Sequence, residues 1–320
     1  MHSRLAPGVA DSVEHLHGRT LEDLLAGRLE VSGRESTPVP GVTSIDHEID
    51  ADPPVRVRRY DPPPLDHPDA SDRADTDRRV GIVWAHGGAW VAGGLDMPEA
   101  DAVARRVSRS LGAVVLSVDY RLAPGAAHSE AVDDLVVAVE ALAQDPTVDP
   151  DRLAVGGASA GGNLVAIAVR RLCDRGTVRP AATLLAYPAT DPFGGPYPAR
   201  RPSVCPELLW FDQAVTAGAF SISLAGAEPG PANVPAAGDL TGLPPTLVTT
   251  AEFDALADQA GRYADLLRAA DVDVEHVEVG GVLHGYLDLV GTLSVADDAL
   301  AAHIAWLAQL LTHSDEEDRR

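Results

Sequence analysis

Apolar residues recur along this chain with two different periods. Between residues 9 and 29, Val13, Leu16, Leu21, Leu24, Leu25 and Leu29 fall at helical spacing, and Thr20-Leu21-Glu22-Asp23 has the form of a capping box. One or two short amphipathic helices are predicted there. Residues 42–49 and 55–60 alternate apolar and polar on either side of Asp52-Pro53-Pro54, which predicts a hairpin at the edge of a sheet. Residues 61–77, rich in Pro, Asp and Ser, read as an exposed loop.

From residue 79 the pattern changes. Apolar runs of strand length occupy residues 80–85, 113–118, 153–155, 181–185, 246–250 and 272–279. Helical patterns stand between and after them at 98–111, 130–143, 162–175, 258–270 and 293–311. A strand with no polar face must be covered on both sides, and regular alternation with helices supplies the cover. With the hairpin, the expectation is an α/β fold around a mostly parallel, doubly wound, eight-stranded sheet. Residues 188–245 break the rhythm. This stretch is too long for a connection and rich in Pro and Gly, yet it holds a helical pattern at 208–220. Six of the chain's 14 aromatic residues (Tyr187, Phe193, Tyr197, Trp210, Phe211 and Phe220) lie in it or at its edge. It reads either as a small satellite core or as a lid with an apolar inner face.

Composition narrows the picture. A chain of 320 residues, 45% hydrophobic, suits one sizeable domain with an appendage. The formal charge of −23, from 48 acidic and 25 basic residues, argues against nucleic acid and anionic membrane as partners. Cys173 and Cys205, the only cysteines, give neither a disulfide framework nor zinc spacing. No apolar run reaches 18 residues, and charges near the start interrupt any signal-peptide core, so a soluble, cytoplasmic protein is expected.

Candidate chemistry begins where the strand at 153–155 meets the helix at 162–175. Gly157-Ala158-Ser159-Ala160-Gly161 is a G-x-S-x-G turn that reverses the chain on small residues and exposes one hydroxyl at a helix N-terminus. His86-Gly87-Gly88-Ala89-Trp90 follows an earlier strand, and its glycines let backbone N–H groups turn toward a developing oxyanion. Gly88, Ala89 and Ala160 are the expected donors, Gly87 shapes the turn, and Ala89 serves provided its φ stays negative. Asp254 and His284 each follow a late strand, and strand ends on one edge of a parallel sheet are neighbours in space. Ser159, Asp254 and His284 then form a nucleophile, orienting acid and base in the chain order this fold uses. Glu252 and Asp258 are less well placed alternatives for the acid. The other histidines read as solvated or capping (His303 and His313 on the last helix among them), with His276 in mid-strand and His128 near the loop or lid. Asp119 and Arg121 read as a charged pair bracing the oxyanion loop.

Together these segments resemble the hormone-sensitive-lipase-like branch of the α/β-hydrolases, particularly its bacterial esterases. His86-Gly87-Gly88-Ala89-Trp90 is similar to H-G-G-G, Asp119-Tyr120-Arg121-Leu122-Ala123-Pro124 matches D-Y-R-L-A-P, and Gly157-Ala158-Ser159-Ala160-Gly161-Gly162-Asn163 is similar to G-D-S-A-G-G-N. Leu243-Pro244-Pro245, Glu252-Phe253-Asp254-Ala255-Leu256 and His284-Gly285-Tyr286 continue the likeness, which spans residues 80–303. Ala89, Ala158 and the run Gly125-Ala126-Ala127-His128 depart from the family pattern, which bears on rate and substrate preference. The resemblance implies an α/β-hydrolase fold with a helical cap. Cap helices would occupy residues 1–39 and a cap insertion residues 188–240, around a core at 40–187 and 241–320.

The expected function is a carboxylesterase-type serine hydrolase that forms an acyl-enzyme on Ser159, needs no metal or cofactor, and cleaves small-molecule esters of modest-sized, uncharged acyl groups. Trp90, Trp210, Phe211 and Tyr286 are candidate pocket residues. An acyltransferase, lactonase or dehydratase on the same scaffold, and a non-catalytic ligand-binding protein with a vestigial site, stay open at this point. A homodimer through an edge strand or the last helix is compatible with the sequence.

Overall fold

A computed structural model describes residues 5–14, 20–26, 36–64, 78–193 and 212–312. Eight strands form one sheet: β1 (Thr43–Ile49), β2 (Val55–Asp61), β3 (Arg79–Ala85), β4 (Val114–Val118), β5 (Val148–Ala158), β6 (Ala182–Ala186), β7 (Thr246–Phe253) and β8 (Val274–Leu283). Their spatial order is β1-β2-β4-β3-β5-β6-β7-β8. The β1–β2 and β2–β4 pairs are antiparallel, and every other pair is parallel. The hairpin therefore lies at an edge, as its alternating pattern predicts.

Helices cover both faces. On one side α4 (His128–Ala143), α5 (Ala160–Arg175) and α7 (Ala257–Ala269) pack on Val57, Val83, Val155 and Val248. On the other, α3 (Asp101–Leu111) and α8 (Ser294–Thr312), with the short α1 (Val9–Ser12) and α2 (Leu21–Leu25), pack on Tyr60, Ile82, Trp84, Ala154 and Leu247. Successive residues of β3 alternate between these two cores, so the strand reads as apolar throughout. The remaining helix, α6 (Gln213–Leu224), belongs to the inserted segment and joins the first core through Ala219, Phe220 and Leu224.

Two strands run longer than their apolar patterns. β5 begins at Val148, five residues before the apolar run, because its polar first half still pairs with β3 across a bulge. β8 continues to Leu283; it is an edge strand whose first seven residues are exposed or half-buried, so only its last three have a buried signature. The Thr20 capping box forms as the sequence predicts, with the Thr20 side chain accepting from Asp23 N–H and Asp23 accepting from Thr20 N–H. Residues 65–77, which make up most of the expected exposed loop, lie outside the described residues. Among the described residues no helix is long and apolar enough to cross a membrane.

The strand order fixes where a site can form. The chain leaves β3 toward β4 on one side and returns to pair β5 on the other, so the connections that follow the paired C-terminal ends of β3 and β5 run opposite ways, a topological switch point. Open sheets of this kind carry their sites in that crevice.

Candidate active site

Ala85 pairs with Gly157 at the ends of β3 and β5, so the segments that follow, residues 86–90 and the Ser159 turn, leave the sheet side by side. At the elbow Ser159 has φ 53° and ψ −117°, a conformation costing roughly 1–3 kcal/mol that persists only where neighbours hold it. They do so here. Ser159 N–H donates to Ala186 O (2.9 Å), and Ser159 O accepts from Asn163 N–H and Ala189 N–H, both at 3.2 Å. Gly161 lets helix and strand touch, since a Cβ there would stand 2.3 Å from the carbonyl oxygens of Ala85 and His86.

His284, directly after β8, accepts from Ser159 Oγ at Nε2 (2.8 Å) and donates from Nδ1 to Asp254 Oδ2 (2.8 Å). The Asp254 side chain has no exposed surface and that of His284 keeps 9% of its own. The other carboxylate oxygen of Asp254 accepts Leu256 N–H (2.7 Å), so both oxygens of the buried acid are engaged. An imidazole held in this tautomer can take a proton from the hydroxyl at Nε2 while the carboxylate stabilises the cation formed.

Beside Ser159 the oxyanion loop is strained in sequence. Gly88 has φ 119°, and a Cβ on it would fall 2.0 Å from Ala92 O. Ala89 and Trp90 follow at φ 54° and 63°, so the expectation of a negative φ at Ala89 is corrected. A left-handed conformation costs an L-residue roughly 1–2 kcal/mol. Here it is offset by Val91 and Ala92 N–H donating to Gly88 O (3.1 and 2.9 Å) and by Ala123 N–H donating to Trp90 O (2.9 Å). The N–H groups of Gly88, Ala89 and Ala160 meet no acceptor among the described residues. Gly87 N–H is taken, donating to Glu99 Oε1 (2.5 Å), which leaves Gly87 a shaping role in the turn.

The sequence profile of the α/β-hydrolase fold matches residues 82–288. Carboxylesterase NlhH of Mycobacterium tuberculosis is 33% identical over 243 residues, 72% of this chain and 73% of that protein. Ethyl acetate hydrolase of Pseudomonas putida is 32% identical over 278 residues, 81% and 79% of the two chains. The esterase structure from Pyrobaculum calidifontis superposes with a TM-score of 0.78 at 30% identity, covering 95% of this chain and 98% of that one. The chain belongs to the hormone-sensitive-lipase-like branch of the α/β-hydrolases.

In this α/β-hydrolase some residues occupy places their sequence context does not suggest. Arg121 does not pair with Asp119. It binds Asp134 and Glu130 of α4 (2.8 and 2.9 Å), while Asp119 accepts from Arg56 of β2 (3.1 Å). The residue between them braces the oxyanion loop: the buried Tyr120 hydroxyl donates to His86 O (2.9 Å) and its ring stacks on His86 at 4.4 Å. Burial holds the His86 imidazole below its ordinary pKa. Glu252 is occupied with Gly281 N–H (2.8 Å). His303 is not solvated but 2% exposed, with neither ring nitrogen partnered among the described residues, and burial lowers its pKa to about 4.

Of the candidate pocket residues, Trp90 is buried against Phe220 (4.9 Å between centroids), which also meets Phe193 (5.4 Å) and His128 (5.5 Å). Tyr286 is buried behind the triad, its hydroxyl shared with Thr249 (3.0 Å) and its ring edge-on to Tyr187 (4.8 Å). Trp210 and Phe211 lie outside the described residues, as do Tyr197, Cys205, His2, His15, His17, His67 and His313.

Two buried polar residues near the site were given no role by the sequence, although Asn163 closes the motif at 157–163. Asn163 of α5 accepts from His128 Nε2 (2.7 Å) and donates to Ala189 O (2.8 Å) and Asn233 O (3.3 Å), tying the elbow helix to both ends of the inserted segment. Glu99, 2% exposed, bonds Gly87 and the Tyr187 hydroxyl. Burial raises its pKa, against the pull of those two hydrogen bonds and of His284. Among the described residues no group of three or more His, Cys, Asp or Glu side chains is placed to hold a metal ion.

Proposed function

We propose that this protein is a serine carboxylesterase working through an acyl-enzyme on Ser159. The observation that carries the proposal is the pair of 2.8 Å hydrogen bonds running from the Ser159 hydroxyl through His284 to Asp254. Ser159 Oγ attacks the ester carbonyl carbon while His284 Nε2 takes the hydroxyl proton. The carbonyl oxygen becomes an oxyanion held by the free amides of Gly88, Ala89 and Ala160, each donor worth about 3–4 kcal/mol. Collapse breaks the bond to the alkoxy oxygen, which leaves with the His284 proton as the alcohol. Water then attacks the acyl-enzyme, giving one proton to His284 and returning Ser159 to its free form as the carboxylic acid departs. Neither metal nor cofactor enters any step.

The names of the relatives point the same way: a carboxylesterase and an ethyl acetate hydrolase at about one-third identity. Residues 1–39 and 188–240 are proposed as the cap over this site. Phe193, exposed and packed on the buried Phe220, which in turn meets Trp90, supports an apolar acyl wall near the oxyanion loop. An uncharged acyl group of modest size fits such a wall, and the net charge of −23 repels anionic esters at long range. p-Nitrophenyl acetate, butyrate and octanoate test the reading. Turnover should favour the shorter chains and vanish in Ser159→Ala; retained turnover in that variant contradicts the proposal.

A further inference from the structure

Glu99 has no role in the steps above, yet it is the buried carboxylate that touches the oxyanion loop. Its oxygens accept from Gly87 N–H (2.5 Å) and from the hydroxyl of Tyr187. The Tyr187 ring stands edge-on to His284, 4.8 Å between centroids. Glu99 is itself fixed at its backbone, with its N–H donating to Asp288 Oδ1 (3.2 Å) and its carbonyl accepting from Trp84 Nε1 (2.9 Å). Those partners lie on β3 and on the turn just beyond His284. Gly87 is wedged between Glu99 and the nucleophile: a Cβ added there would meet Glu99 Oε1 at 2.6 Å and Ser159 Cβ at 3.2 Å.

A buried acid is costly unless hydrogen-bonded, and among the described residues the one amide this acid takes is that of Gly87, which precedes the amides of Gly88 and Ala89. The bond sets the plane of the peptide entering Gly87, and the strained run from Gly88 to Trp90 must follow from it. We propose that Glu99 is a positioning residue that holds the oxyanion loop in its working conformation, coupled through Tyr187 to the His284 side of the site. The inference rests on the reading of Ser159 as nucleophile. Glu99 touches no reacting atom. It acts through Gly87, so its effect falls on the tetrahedral oxyanion and not on substrate binding.

The test compares Glu99→Ala, Glu99→Gln, Tyr187→Phe and Ser159→Ala with the wild type on p-nitrophenyl butyrate. Alongside turnover, the inhibition constant of a trifluoromethyl ketone, which adds to Ser159 as a tetrahedral oxyanion, is measured. Glu99→Ala should lower kcat by about tenfold or more with KM within about twofold, and weaken the ketone by the factor lost in kcat/KM. Glu99→Gln keeps an acceptor for Gly87 N–H and should recover most of the lost rate. Tyr187→Phe frees one carboxylate oxygen and should lower kcat by about threefold or more, again with KM unchanged. Wild-type kcat and ketone affinity in folded Glu99→Ala overturn the proposal while leaving the nucleophile assignment intact if Ser159→Ala is inert. Should Glu99→Ala fail to fold, wild-type kcat in Tyr187→Phe, or a Gln variant that folds but has lost at least tenfold in kcat, overturns it equally. Turnover by Ser159→Ala would instead remove the reading on which the inference rests.

Discussion

The rim at the ends of β3 and β5 and the antiparallel edge of β1 and β2 are both dense in polar contacts, but they are built in opposite ways. At the edge the contacts are charged, partly exposed and redundant. Arg56 reaches both Asp46 and Asp119, and Arg58 reaches Asp46, Asp96 and Asp101. At the rim they are buried and mostly single: one acid for His284, one hydroxyl on His86 O, one carboxylate on Gly87 N–H. Solvent and alternative partners can absorb a loss at the edge. At the rim each lost partner leaves a desolvated group uncompensated, and in return each group is held in one geometry.

Substitutions that break this contrast should rank accordingly. Ser159→Ala should lower kcat by roughly 10³-fold or more at unchanged Tm, read by ester turnover and thermal melting. Asp254→Asn keeps shape but not the tautomer that His284 needs, and should cost roughly 10³-fold in kcat. Two histidines sharpen the stability side. His128 and His303 are buried with pKa values of about 4, desolvation being the leading cause, against 6.5 for free histidine. Below pH 6.5 the unfolded chain binds protons that the folded one refuses, so each group removes stability as the pH falls toward 4, by at most about 3 kcal/mol. His303→Leu should therefore narrow the gap in Tm between pH 7.5 and pH 5. Asn163→Leu strands His128 and two backbone carbonyls, and should cost about 2 kcal/mol in urea titration. Arg56→Ala, at the exposed edge, should leave Tm within about 2 °C of the wild type.

The same contrast explains what could be read in advance. Ser159, Asp254 and His284 each sit in a small-residue or loop context directly after an apolar strand, so pattern and chemistry point to one place. The strand–helix alternation was equally legible because nearly all of the central strands are buried on both faces. Positions decided by a partner far away in sequence were not. Glu99 stands between Asp96 and Asp101 just before α3, where nothing local sets it apart from those acids, and its partner Tyr187 is 88 residues away. Tyr120 was overshadowed by its charged neighbours Asp119 and Arg121, whose partners lie on other elements. His303 did carry a signal, since Ala296, Ala299, Leu300, Leu307 and Leu311 put it on the buried stripe of α8. The polar beginning of β5 lacks the apolar run that marks the other parallel strands, and Gly280-Gly281 hides the buried end of β8, whose solvated part the pattern at 272–279 did mark.

Incubation of the wild-type protein with a fluorophosphonate, followed by intact-mass and peptide mass spectrometry, bears most directly on the account. A nucleophile activated by His284 and faced by free amides predicts one adduct per chain, on the peptide carrying Ser159, with loss of ester turnover in proportion to labelling. Modification of a different hydroxyl, or full esterase activity in a chain labelled at Ser159, would contradict it.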